Sequence, residues 1–248
     1  MNKTKIEWAQ NPNGTPVYTW NPITGCLNGC DYCYARKLAN TRLRSRYLAN
    51  HTWTTEEVPH SVPALLDPFY PRFWEDRVKQ MSLYTGVGKG IFTCDMSDLF
   101  GIGIPIEWTN KVLFAINLNR RNRFYLLTKQ PQNLQKFSPF PHNCWVGVSA
   151  TDTWGFDCAF RALMQIQSKV KFISFEPLLN WTRTIGLEKP LKQVDWIIIG
   201  SQTQPVKHPP REWVDEIIEA ADKARIPVFV KEPMATYFGI YREEFPNR

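Results

Sequence analysis

The chain has 248 residues, 43% of them hydrophobic, enough to bury a substantial core, and the length suits an α/β barrel built as one domain, residues 1–248. No apolar run approaches the roughly 18 residues that a bilayer span requires, the six Cys form no spaced framework, and no charged-then-apolar leader opens the chain. These features argue against a membrane or secreted protein and lead to the expectation of a reducing, cytoplasmic setting, while the net charge of +7 is a modest basic excess that suits a polyanionic partner without requiring one.

Residues 1–17 are polar and broken by Asn11, Pro12, Asn13, Gly14 and Pro16, so they are expected to form an extended arm over a barrel end. Residues 17–20 are short and β-rich, and Asn21-Pro22 stops that strand. There the chain enters TWNPITGCLNGCDYCYARKLAN, which holds Cys26, Cys30 and Cys33 in a C-x3-C-x2-C spacing. Such a spacing fits neither one helix face nor one strand, so the sulfurs belong to a loop that wraps around something.

Three readings compete for that loop. Core packing would flank the cysteines with apolar residues, whereas Gly25, Asn28, Gly29 and Asp31 are loop formers. A structural zinc site needs a fourth Cys or His, usually from a second spaced pair, and the His stand scattered at 51, 60, 142 and 208. An iron-sulfur cubane on three thiolates leaves one iron open to a ligand, and this reading fits best.

After Cys33, Tyr34, Ala35, Leu38, Ala39, Leu43 and Tyr47 share a helical stripe, with Arg36, Lys37, Arg42, Arg44 and Arg46 mostly around it. Residues 49–74 carry several Pro and the aromatics Trp53, Phe69, Tyr70, Phe73 and Trp74, and are expected to be an irregular insertion or lid, followed by a short helix over 73–81. Apolar runs then recur at 90–98, 123–129, 144–150, 171–177, 195–201 and 227–232, separated by helical patterns such as 108–117, 153–167 and 211–224. Near-continuous apolar strands alternating with helices predict a parallel sheet covered on its outside, and with the first strand there are seven. The expected fold is therefore a parallel (β/α) barrel of six to eight strands, partly or nearly closed.

Barrels of this kind carry their chemistry at the carboxyl ends of the strands. The polar tails there form one ring: Cys94, Asp95, Ser97 and Asp98; Thr128 and Lys129; Ser149, Thr151 and Asp152; Glu176; Ser201, Gln202 and Thr203; Lys231 and Glu232. Helix capping accounts equally well for Ser97, Asp98 or Asp152 taken singly. Cys144 and Cys158 receive no role.

The cysteine spacing, with Tyr32 just before the third cysteine, resembles the cluster loop of the radical S-adenosylmethionine superfamily, and TKIEWAQ, TWNP..GC, CDMSDLFG, FYLLTK, WVGVSA, FISFEPLL and DWIIIGS resemble, in that order, a phage-associated family of radical-SAM-like proteins. The resemblance implies a TIM-barrel-like fold and a [4Fe-4S] cluster held by Cys26, Cys30 and Cys33. Its open iron would bind S-adenosylmethionine, which one electron from an external donor such as a flavodoxin or ferredoxin would cleave to a 5'-deoxyadenosyl radical.

By the same resemblance, Asp95, Met96, Ser97 and Asp98 are candidates for the methionine amino group, with Tyr32 close by. Ser149 and Glu176 stand where ribose or substrate is held, and Gly200 and Ser201 beside the adenine. Cys94 is a candidate hydrogen donor or second metal ligand, while Lys129 and Lys231 either meet an anionic group or pair with Glu176 and Glu232.

This chain departs from the family's Gly-Gly-Glu-Ser at Gly200, Ser201, Gln202 and Thr203, and from its Gly-Ser at Cys94 and Asp95, which leaves the substrate open. A nucleic acid or nucleotide-derived molecule is one substrate class, suggested by Arg42, Arg44, Arg46, Arg120, Arg121 and Arg123. A peptide or small molecule is another, and a non-enzymatic protein stapled by a metal is the reading from a different class.

Overall fold

The structure is a computed structural model that describes residues 1–10, 15, 17–54, 64, 66–182 and 187–247. The centre of the expected insertion, 55–63 and 65, and residues 11–14 and 16 of the expected arm lie outside the described residues.

Eight strands form one sheet in chain order: β1 (Asn2–Lys3), β2 (Tyr18–Trp20), β3 (Gly90–Thr93), β4 (Arg123–Thr128), β5 (Cys144–Ser149), β6 (Val170–Phe175), β7 (Trp196–Ile199) and β8 (Val228–Val230). β1 runs antiparallel to β2, and every later neighbour is parallel. β1 and β8 stand at the two ends of the sheet and do not pair with each other, so the barrel is open, and the apolar runs read from the sequence supply its parallel strands.

Side chains alternate between the two faces as the strand period requires. Phe124, Leu126, Ile197 and Ile199 point outward into a core shared with the helices, while Tyr125, Trp145, Phe172, Trp196, Ile198 and Phe229 fill the barrel interior. Trp8, 2% exposed on a 3-10 turn of the amino-terminal arm, enters that interior, with its ring centroid 4.9 Å from Phe92, 5.6 Å from Tyr125 and 6.3 Å from Trp196. The described part of the arm thus adds an edge strand and plugs the barrel from within.

The helices are α1 (Tyr34–Asn40), α2 (Arg44–Leu48), α3 (Glu75–Ser82), α4 (Ile106–Leu118), α5 (Thr153–Met164), α6 (Glu188–Leu191), α7 (Arg211–Ala224) and α8 (Met234–Phe238). Val112 and Ile116 of α4, Phe156 and Leu163 of α5, and Val214 and Ile217 of α7 are the spaced apolar positions that cover the sheet. The single helix expected after Cys33 is two. Thr41 bonds back to Lys37 O through its hydroxyl at 2.8 Å and leaves helical geometry at φ −114°, ψ −106°, and this local competition ends α1. Among the described residues no helix is long and apolar enough to cross a membrane.

Candidate functional site

A cavity of about 450 Å³ opens at the carboxyl ends of the strands. Trp8, Phe92 and Leu127 lie on its wall, and Cys26, Cys30, Tyr32 and Cys33 line it from the loop after β2.

Backbone geometry dictates the loop's sequence. Gly25 sits at φ +88°, where a Cβ would fall 2.4 Å from Tyr70 O, so only glycine fits. The loop is then tied down on several sides: Gly25 N donates to Met96 O at 2.9 Å, Ser97 Oγ to Gly25 O at 2.6 Å, and Cys26 N to Phe69 O at 2.9 Å. Asn28 Nδ2 donates to Asp98 Oδ2 at 3.0 Å and Gln130 Nε2 to Asn28 Oδ1 at 2.8 Å. Cys33 Sγ caps α1 by accepting from Arg36 N at 3.4 Å, and Cys26 Sγ accepts from Asn28 N at 3.4 Å.

All three thiols are free. Burial pushes the Cys26 thiol up to about 12, with the Asp98 carboxylate and the neighbouring Cys30 and Cys33 adding to the rise. Among the described residues no three His, Cys, Asp or Glu stand in the arrangement of a finished metal site. The donor set still fits an iron-sulfur cluster: three soft, unpaired sulfur ligands on one restrained loop face a cavity, and binding would release their protons.

Around the rest of the wall, Cys94 takes a left-handed conformation at φ 63° and is 3% exposed, and its burial raises the thiol pKa. Asp95 lines the cavity, accepts from Asn21 Nδ2 at 2.6 Å and receives the Tyr34 hydroxyl on its backbone carbonyl at 2.7 Å. Burial holds its carboxyl above the usual range. Lys129 Nζ is shielded from solvent, has no hydrogen-bond partner among the described residues and lies 5.4 Å from the centre of the Tyr32 ring. Burial, with Cys30 adding to it, raises the Tyr32 phenol pKa.

Ser149, Ser201, Gln202 and Thr203 also line the cavity, as do Glu176 and Lys231, which form an ion pair. The lysine is thus held by Glu176, one of the two pairings expected for it.

Other expected site residues have different positions or partners. Met96 does not reach the cavity and packs with Ala35, Ala39, Tyr47 and Phe69 under α1. The Met96 and Ser97 contacts to Gly25 hold the loop, and Asp98 accepts from Thr128 Oγ1 at 2.7 Å, Lys129 N at 2.9 Å, Phe100 N at 3.1 Å and Asn28. Ser97 and Asp98 touch the cavity wall, but their hydrogen bonds are internal. Gly200 lies beside Glu176 and Lys231 rather than on the cavity surface. Asp152 caps α5 through Gly155 N at 2.6 Å, and Glu232 bonds Thr236 within its own turn.

The structure adds residues that the spacing did not reveal. Asn21 and Asn28 anchor the loop, and of the two only Asn28 stood out in the sequence, as a loop former between two cysteines. His208 bonds Ser201 Oγ through Nδ1 at 2.8 Å, a pairing with no sequence signal because a hairpin of Gln202–Thr203 and Val206–Lys207 brings it about.

A family model described as protein of unknown function (DUF5131) matches residues 3–239. No curated protein matches the chain. Among solved structures, spore photoproduct lyase complexed with dinucleoside spore photoproduct has a TM-score of 0.52 at 12% identity, covering 90% of this chain and 77% of that one. A mutant form of spore photoproduct lyase has a TM-score of 0.52 at 12% identity, covering 93% and 78%. At this identity the likeness is one of fold: the open, mostly parallel sheet is a partial α/β barrel that these structures share.

Proposed function

The chain belongs to the family described as protein of unknown function (DUF5131), and we propose that it is a radical S-adenosylmethionine enzyme acting on a nucleic acid or a nucleotide-derived molecule. The observation that carries this reading is the presence of Cys26, Cys30 and Cys33, all free, on the wall of the cavity at the carboxyl ends of the strands. The motif resemblance and the fold shared with spore photoproduct lyase, a radical SAM enzyme, support it.

Cys26, Cys30 and Cys33 would hold a [4Fe-4S] cluster, which when bound with S-adenosylmethionine supplies, on one-electron reduction by an external donor such as a flavodoxin or ferredoxin, a 5'-deoxyadenosyl radical. The chain's own residues bind and shield. Trp8, Phe92 and Leu127 make an apolar wall that keeps water from a reactive centre. Asp95 offers a carboxyl group to an ammonium, and the shielded Lys129 amine, with no hydrogen-bond partner among the described residues, suits a carboxylate or phosphate. The Cys94 thiol, kept protonated beside the cavity, is suited to return a hydrogen atom to a substrate radical. Glu176 and Lys231 add an ion pair to the cavity wall.

The nucleic-acid part of the reading comes from the surface next to the loop. Lys37, Arg42, Arg44 and Arg46 are exposed along α1 and α2 and the turn between them, and Lys37 Nζ meets Gln204 Oε1 of the cavity rim at 3.3 Å. Trp154, 70% exposed in the first turn of α5, is free to stack on a base. The phage association carried by the sequence motifs is part of the same proposal.

The test is anaerobic reconstitution with iron and sulfide, then EPR of the reduced protein with and without S-adenosylmethionine. A cubane signal that changes shape with the cofactor, and 5'-deoxyadenosine under reductant, are expected. Zinc in place of iron, or a cluster indifferent to the cofactor, would leave the loop as a structural staple. Oligonucleotide binding that weakens steeply with salt is expected, and no binding at low salt would leave a peptide or small molecule as substrate.

A further inference from the structure

Ser201 is 3% exposed, lines the cavity just after β7, and bonds His208 Nδ1 at 2.8 Å. The two residues stand at the two feet of the hairpin Gln202–Thr203/Val206–Lys207. The imidazole is fixed by stacking on Tyr237 of α8, with centroids 4.0 Å apart and planes 9° from parallel, and by the edge of Phe238 at 6.1 Å. Its charged surroundings are Lys207, adjacent in the chain, and Arg211, whose guanidinium lies 5.6 Å from the Phe238 ring and is paired with Asp215. At 2.8 Å the separation suits a serine hydroxyl that donates to an unprotonated Nδ1.

We propose that His208 is a positioning residue that holds the Ser201 hydroxyl proton on Nδ1, so that Ser201 presents its oxygen to the cavity as an acceptor for a hydroxyl or amino group of the adenosyl ligand; this rests on the reading of the cavity given above. Protonation of His208 reverses the bond. Nδ1 then donates to Ser201 Oγ, the serine proton turns toward the cavity, and a ligand donor meets another donor.

The probe is S-adenosylhomocysteine, titrated calorimetrically on the reconstituted protein from pH 5.5 to 8, together with nitrogen-15 histidine NMR. Wild type is expected to lose about tenfold in affinity between pH 8 and pH 5.5. Asp95 also faces the cavity with a raised pKa, so the decisive quantity is the difference between wild type and His208→Gln. His208→Gln keeps a side-chain acceptor for Ser201 and is expected to bind as wild type at pH 8 without that loss. His208→Phe and Ser201→Ala are expected to bind weakly at both pH values.

NMR is expected to show Nδ1 without a proton at pH 8. A proton on Nδ1 at pH 8, or a pH profile unchanged in His208→Gln, overturns the inference alone. Failure of wild type to bind the probe at pH 8 overturns the reading of the cavity beneath it.

Discussion

Lys231 and Glu176 join across Gly200. The lysine leaves the end of β8, the carboxylate leaves the end of β6, and β7 between them is followed by a residue without a Cβ. A Cβ at position 200 would stand 3.3 Å from both Glu176 Cγ and Lys231 Cδ, so the glycine makes room for the pair. With the side chains only 24% and 15% exposed, removing one partner strands the other in the cavity wall. Lys231→Met is expected to cost about 1–3 kcal/mol, below the 3–5 of a fully buried pair, and Glu176→Leu on top of it to recover part of that loss. Urea midpoints of the single and double variants check this, and a double variant no more stable than Lys231→Met would show that the stranded carboxylate is not the cause.

Asp98 looks like a ligand residue in the sequence and behaves as a bracket in the fold. Its carboxylate joins Asn28 of the cysteine loop to Thr128 and Lys129 at the end of β4. Asp98→Ala leaves those donors without their acceptor, and at about 1.5–3 kcal/mol for a hydrogen bond to a charged group the loss of even one is substantial. Lower thermal stability and reduced iron uptake on reconstitution are expected together. Normal iron uptake in a destabilised Asp98→Ala would separate the bracket from the loop.

The strands were legible because a parallel sheet covered by helices leaves near-continuous apolar runs, and their polar tails fell on the cavity because strand ends share one face of a barrel. What stayed hidden depends on contacts between distant residues. Nothing local marks Trp8 as a plug among Phe92, Tyr125 and Trp196, or His208 as the partner of Ser201. Met96 sits in a polar tail and still turns to pack under α1, two residues after the left-handed Cys94. The break between α1 and α2 was lost because the apolar stripe continues through Thr41 even though its hydroxyl bonds back to the helix.

Arg72 is fully buried, and its guanidinium spreads over the carbonyls of Asn50 (3.0 Å), Asp67 (2.9 Å), Tyr70 (2.8 Å) and Ala64. A lysine has no planar fork with which to span them. Arg72→Lys and Arg72→Met are both expected to destabilise by about 3 kcal/mol or more, since carbonyls lose their donors in a buried site. Limited proteolysis should then cut within 49–74 sooner than in wild type, and an unchanged cleavage rate would show that this segment does not depend on Arg72.

Cys94 combines a left-handed backbone with a buried thiol. Glycine removes a strain of roughly 1–2 kcal/mol and gives up a small buried side chain of comparable value, so Cys94→Gly is expected to stay within about 1 kcal/mol of wild type. Cys94→Val adds a branched Cβ where φ is positive and is expected to lose more than about 2 kcal/mol. The pH dependence has a definite sign. Burial raises the thiol pKa, so the folded state keeps a proton that the unfolded chain releases above its value of 9.0, and stability falls as the pH climbs past that point. Cys94→Gly should flatten this alkaline slope, as read from urea midpoints between pH 8 and 10. Iodoacetamide at pH 8, followed by peptide mass spectrometry, should leave Cys94 unmodified until denaturant is added. Rapid labelling in the native state would place an ionised thiol in the cavity and remove Cys94 as a hydrogen-atom source.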